Sequence, residues 1–144
     1  MSQARTMARR CAVQALYQWQ VTGQDVEEIY QQFLLERNMG NVNTEMFKEF
    51  LVGVTRELDS LDEKIQPYLD RDISEVDPVE RAVLRLGAYE LMYKLDVPYR
   101  VVINEALEAV KTFGAEQGHR YVNGVLDKLA HELRQLEVRR NSRK

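Results

Sequence analysis

Few side chains in this sequence are placed to do chemistry. His119 and His131 are the two histidines, 12 residues apart; they lack the i, i+4 spacing and the neighbouring cysteines or histidines of a metal site. Cys11 is the single cysteine, falls in an apolar helical row and has no histidine near it in sequence, which excludes an intramolecular disulfide and argues against nucleophilic catalysis. Asp59 with Asp62 and Glu105 with Glu108 pair carboxylates on helix faces, a pattern of solvated surface. Gly114, Gly118 and Gly124 are too widely spaced to cradle a nucleotide. No enzyme, metal or cofactor is expected. What remains is basic and aromatic. Arg5, Arg9, Arg10, Gln14 and Tyr17 fall within about half a turn of one helix, because residues three and four apart are neighbours on its surface. Guanidiniums can hold phosphates and a phenol can stack on an unpaired base. An arginine-bearing face can equally be there to solvate the helix, and the residues alone leave both readings open.

These side chains need a helix to hold them. Ala8, Cys11, Ala12, Ala15, Leu16 and Trp19 recur at helical spacing from about Ser2 to Val21, so this face enters a core. Gly23 and Gln24 end the helix. Asp25 caps a second, with Val26, Ile29, Tyr30, Phe33 and Leu34 as its inner face. A loop over Asn38 to Asn43 leads to a third helix carrying Met46, Phe47, Phe50, Leu51, Val54 and Leu58. Ser60-Leu61-Asp62-Glu63 reads as a capping box at which the helix restarts or bends. Asp77-Pro78-Val79-Glu80 opens a helix whose apolar residues lie on more than one side, so it is buried between others. Glu80, Arg81 and Arg85 are its few polar projections. Asp96-Val97-Pro98 ends it. A helix from Val102 to Phe113 stops at Gly114, and a last one runs from Tyr121 to Leu136. Gly124 inside it costs about 1 kcal/mol relative to Ala, which predicts a close helix contact there.

With 144 residues, three prolines and seven glycines, 44 % hydrophobic and 30 % charged residues, the chain reads as one all-α domain over residues 1–138. The basic residues of 139–144 read as a disordered tail. No signal-like segment opens the sequence and no apolar run approaches a membrane span, so a cytoplasmic protein without a membrane partner is expected. The net charge of −3 is unevenly spread. Residues 1–24 hold three arginines and no acid, residues 25–100 hold 17 acids and 9 bases, and residues 101–144 hold 6 acids and 8 bases. Brought together, the two ends would form a basic patch on an acidic body, a footprint for a polyanion.

Four ordered stretches carry a resemblance: Arg9 to Trp19 (RRCAVQALYQW), Val79 to Arg85 (VERAVLR), Val97 to Ala106 (VPYRVVINEA) and Tyr121 to Lys128 (YVNGVLDK). Together they resemble the NusB family of bacterial transcription antitermination factors from about Arg5 to Leu133. The resemblance implies a compact bundle of about seven helices in two subbundles and no catalysis. It implies pairing with NusE, a small-ribosomal-subunit protein, and binding of the pair to single-stranded boxA RNA of nascent ribosomal RNA transcripts. That complex would help RNA polymerase resist termination. Matched residue by residue, it assigns RNA contact to Arg5, Arg9 and Arg10, to Tyr17, and to Arg120 with Tyr121. Glu80, Arg81 and Arg85 are the matching candidates for the protein partner.

Thr6 and Met7 interrupt the arginine run that some relatives carry unbroken, so fewer phosphate contacts follow. Three engaged arginines give a single-strand salt slope of about −2, leaving stacking at Tyr17 and Tyr121, at about 1 to 3 kcal/mol per base, to carry much of the binding. RNA binding should then be weak alone and tighter with the partner. Substituting Arg9 or Tyr17 should weaken it at little cost in stability. Two other readings stay open: an RNA-binding accessory module for ribosomal RNA modification or maturation, and a scaffold in which a homodimer hides the arginines of the first helix.

Overall fold

The computed structural model describes residues 3–114 and 117–142, with nothing beyond the backbone for Ser142. Eight α-helices are present among them: α1 Gln3–Thr22, α2 Val26–Glu36, α3 Thr44–Arg56, α4 Leu58–Ile65, α5 Pro78–Tyr93, α6 Tyr99–Phe113, α7 Gly118–Leu133 and α8 Gln135–Ser142. Two 3₁₀ turns, Gln66–Tyr68 and Ile73–Glu75, carry the chain from α4 to α5. The described residues contain no strand, and no helix among them is long and apolar enough to cross a membrane.

α5 is the inner post. Every residue from Ala82 to Leu91 is buried, as expected of a helix apolar on several sides and surrounded by α1, α3, α4, α6 and α7. Its start is written locally: the Asp77 carboxylate accepts from the backbone N–H groups of Val79 and Glu80 at 3.0 and 3.2 Å, and Pro78 fills the position where no donor is needed. α2, α3 and α4 gather on one side with α1; α6, α7 and α8 gather on the other. The two subbundles meet along α1 and α5. Phe47, Phe50, Leu16, Leu84, Leu91 and Leu126 are wholly buried across both, each worth about 2 kcal/mol of transfer from water.

Small residues let the helices approach. A Cβ added to Gly53 of α3 would lie 2.5 Å from the Tyr89 hydroxyl oxygen and 2.6 Å from its ring carbons. Gly23, at φ +69°, ends α1 in the left-handed conformation, its N–H reaching the Trp19 carbonyl at 2.9 Å.

Four expectations need correction. The break after α3 falls at Glu57, which makes no side-chain cap, and Ser60 lies inside α4, exposed beside the fully buried Leu61, so it caps nothing. The last helix is two, split at Arg134, because that residue turns inward. Its guanidinium donates to the carbonyls of Glu90, Leu91, Lys94 and Val97 at 2.9 to 3.2 Å and to Glu137 at 2.6 Å. Glu137 in turn accepts from the Tyr99 N–H at 2.7 Å, so α8 is fastened to both ends of the α5–α6 connection. Arg139 and Arg140 therefore belong to a helix rather than a disordered tail, while Arg143 and Lys144 lie outside the described residues. Finally, Gly124 is exposed, with nothing within 4 Å of an added Cβ; it serves no helix contact inside the bundle.

Candidate nucleic-acid interface

α1 sets the geometry. Ala8, Ala12, Ala15 and Leu16 are fully buried against α3 and α5. That register leaves Arg10, Gln14, Tyr17 and Val21 on the outer side of the helix. Tyr17 is 41 % and Val21 56 % exposed, apolar surface that the fold leaves in water. Arg10 keeps its Nε out of water with no hydrogen-bond partner among the described residues, an arrangement that costs free energy unless an acceptor reaches it.

At the C-terminal end of α1 three other helix ends converge. Gln20 Nε2 donates to the Pro78 carbonyl at the start of α5, 2.8 Å away. A Cβ on Gly114, after α6, would sit 3.5 Å from Val79 Cγ1. One on Gly118, opening α7, would meet the Glu80 carboxylate at 2.7 Å. Between these ends Val13, Gln14, Tyr17, Arg37, Val79 and Phe113 line an open groove of about 460 Å³. Arg37, which follows α2, donates from Nη1 to Gln14 Oε1 and lies 4.1 Å above the Phe33 ring.

Arg120 and Tyr121 open α7 at the same end of the bundle. Arg120 is exposed and Tyr121 half-buried. The Tyr121 hydroxyl donates to Asp70 Oδ1 at 3.1 Å. Arg71 donates to both Asp70 oxygens, at 2.7 and 2.9 Å, and its guanidinium carbon stands 5.1 Å from the Tyr121 ring centre. The Arg71 bond holds the Asp70 carboxyl down to about 2 and raises the guanidinium in return. Burial, with the Asp70 bond, pushes the Tyr121 phenol up. Burial and Asp77 raise Glu80 despite Arg71 nearby.

The structure therefore brings Tyr17, Arg120 and Tyr121 to one end, with Arg37 and Arg71 beside them; Arg10 shares the outer side of α1 but lies two turns back, roughly 10 Å from Tyr17 along the helix axis. Arg5 is exposed near the other end of α1, roughly 18 Å from Tyr17 along the helix axis; it lines a separate hollow with Asn43, Asp96 and Pro98. Arg37 and Arg71 escape a reading of the sequence because each is a base in an acidic stretch, 20 and 50 residues from Tyr17 and Tyr121. Their position next to loops is the one signal they offer.

Arg9 is not on this surface. It is buried, at 5 % exposure, between Glu90 and Glu105: Nε and Nη2 donate to the Glu90 carboxylate at 3.0 and 2.8 Å and Nη1 to Glu105 at 3.3 Å. Thr6 donates its hydroxyl to Glu105 at 2.7 Å. Burial works against the Arg9 charge, and the Glu90 bond and both carboxylate charges outweigh it, so its proton is held more tightly than usual. Burial raises Glu90 against the pull of Arg9. Arg9 lies one helical step from the outer row, and its partners on α5 and α6 draw it inward.

The first turns of α5 are less free than expected. Arg85 is buried and bidentate to Asp62 at 2.9 and 2.8 Å, with Gln20 accepting a third bond at 2.9 Å. It ties α5 to α4 and α1 instead of projecting. Arg81 donates to the carbonyls of Ser74 and Val76 at 3.0 and 3.3 Å, pinning the segment before α5. Burial and Arg85 lower it. Arg81 and Arg85 both line an open hollow of about 670 Å³ with Trp19, Leu58 and Ile73.

A sequence profile of the NusB family matches residues 6–131. The transcription antitermination protein NusB of Nitrosococcus oceani is 52 % identical over 139 residues, covering 96 % of this chain and 93 % of that protein. Among solved structures, T. maritima NusB superposes with a TM-score of 0.81 at 32 % identity, covering 92 % of this chain and 94 % of that one. The antitermination factors NusB and NusE in complex with dsRNA give a TM-score of 0.84 at 28 % identity, covering 92 % and 99 %.

Proposed function

The chain belongs to the NusB family, and from that premise we propose that it is a non-enzymatic, cytoplasmic antitermination factor. Paired with NusE, it binds single-stranded boxA RNA of nascent ribosomal RNA transcripts and helps RNA polymerase resist termination. One observation carries the RNA reading: the exposed ring of Tyr17 borders a groove with Arg37, at the same end of the bundle as Arg120 and Tyr121. Aromatic faces stack on unpaired bases whatever their sequence, and the surrounding guanidiniums track the backbone. A duplex keeps its bases stacked on one another and offers such rings nothing, which favours a single strand even though a related complex holds dsRNA.

Arg5, Arg10 and Arg120 are the phosphate contacts in this reading, with Arg37 added and Arg9 withdrawn. The partner candidates narrow to Glu80 and Arg81, since Arg85 is consumed by Asp62. The deciding experiment is an anisotropy titration of labelled boxA RNA, and of the same sequence as a duplex, with this chain alone and with NusE. Tighter single-strand binding by the pair is expected, and no RNA binding by the pair refutes the proposal. Charge reversal at Glu80 or Arg81 tests the partner surface: unchanged NusE affinity would return both residues to a purely structural role.

A further inference from the structure

We propose that Arg71 is an RNA-contacting residue held in reserve by Asp70: in the free chain its guanidinium covers the Tyr121 ring, and on binding a base takes that face while the guanidinium turns onto the neighbouring phosphate. The inference rests on the RNA reading of Tyr121 above and adds to it a residue and a selection step.

Three contacts close the arrangement. Arg71 grips Asp70 through Nε and Nη2 at 2.7 and 2.9 Å, stands over the Tyr121 ring at 5.1 Å, and shares Asp70 Oδ1 with the Tyr121 hydroxyl. The platform and its cover differ in firmness. Tyr121 is set on the first turn of α7 between the buried residues Gly118 and Val122. Asp70 and Arg71 lie between two 3₁₀ turns with side chains 62 % and 45 % exposed. An exposed ion pair is weak and readily exchanged, and a stacked base is worth more than an exposed cation–π contact. A base can therefore displace Arg71 from the ring, and the long side chain then has a phosphate within reach as a bidentate partner.

Asp70 gives the exchange its meaning. The bond to Asp70 is a cost that every ligand meets before Arg71 can reach a phosphate. A polyanion that offers phosphates but no base must break the pair without gaining the ring, whereas a single strand gains both. Asp70 thus acts against phosphate-only binding, and Tyr121 with Arg71 reward an unpaired nucleotide.

The test uses the full chain with NusE and labelled boxA RNA over a range of salt. Arg71→Ala should weaken binding about three- to tenfold and flatten the salt slope by about 0.7, the loss of one phosphate contact. Asp70→Asn should tighten it about two- to fivefold, the strength of an exposed pair, and that gain should vanish in the Arg71→Ala background. Thermal melts of all variants should match the wild type, since both side chains are exposed. Tighter or unchanged binding by Arg71→Ala would overturn the inference, as would a gain from Asp70→Asn that persists without Arg71, which is plain charge repulsion. RNA binding by the wild type with either result refutes this inference alone; no binding by any variant refutes the RNA reading and this inference with it.

Discussion

Replacing Arg9 by glutamine should cost stability rather than RNA affinity, and the size of the loss can be worked from its surroundings. The change removes the cation bonded to the carboxylate of Glu90, a residue 1 % exposed, and leaves Glu105 beside it. Glu90 cannot stay ionised and unpaired there, so it takes up a proton. Neutralising a glutamate with an ordinary value of about 4.3 at about pH 7 costs about 3.7 kcal/mol, within the 3 to 5 kcal/mol typical of halving a buried pair. For a chain of this length that lowers the melting temperature by about 10 °C. The sign of the pH dependence follows. In the variant Glu90 titrates higher when folded than unfolded, so stability is retained below the unfolded value and lost as pH rises past it. Near pH 5 the penalty shrinks to about 1 kcal/mol. Urea unfolding of wild type and Arg9→Gln at both pH values measures this directly, and adding Glu90→Gln, which removes the stranded charge, should recover more than half of the loss. Equal unfolding midpoints for wild type and Arg9→Gln near neutral pH, with weakened RNA binding, would show that Arg9 serves the ligand and that the buried triad is not what holds it.

Other substitutions separate scaffold from surface. Gly124→Ala, on an exposed helical position with open space around it, should raise stability by about 0.5 to 1 kcal/mol in a thermal melt. Gly53→Ala drives a methyl into the buried Tyr89 ring and should lower stability by about 1 to 3 kcal/mol, recoverable in part by Tyr89→Leu. Arg134→Ala releases four carbonyls around the end of α5; a loss of about 3 kcal/mol is expected, with faster amide exchange at residues 90–99 as its local signature. Tyr17→Ala should weaken RNA binding by about 1 to 3 kcal/mol and leave the melt unchanged, because its ring packs into no core.

Features written within one helical turn were legible in the sequence. Asp25 and Asp77 cap the helices they precede, Gly114 ends α6, and the many-sided apolar pattern of α5 places it at the centre. Tyr17 is on the surface, as its place opposite the alanine row requires. Features that depend on a distant partner were not legible. Arg9 looks like its neighbour Arg10 until acids 81 and 96 residues away claim it, and Arg85 looks like a projection until Asp62 and Gln20 fold over it. The split at Arg134 has the same cause, since the four carbonyls it caps belong to a segment about 40 residues earlier. Ser60 shows the opposite error, a local signature overruled by the packing of α4. The Arg71 cover on Tyr121 joins residues 50 apart through exposed side chains, which no periodicity could announce.

The long reach of Arg9 also sets an order of events during synthesis. α1 emerges from the ribosome before α5 and α6, and Glu90 and Glu105 follow Arg9 by 81 and 96 residues, roughly 5 to 20 s at ordinary elongation rates. Through that interval α1 has α2 and α3 for company but no acid for Arg9, and its arginines face the crowded, nucleic-acid-rich surroundings of the exit tunnel together. Arg9 gains its second acid only when α6 arrives. Nascent chains arrested before residue 105 should therefore expose α1 to protease, and chains arrested well beyond it should not.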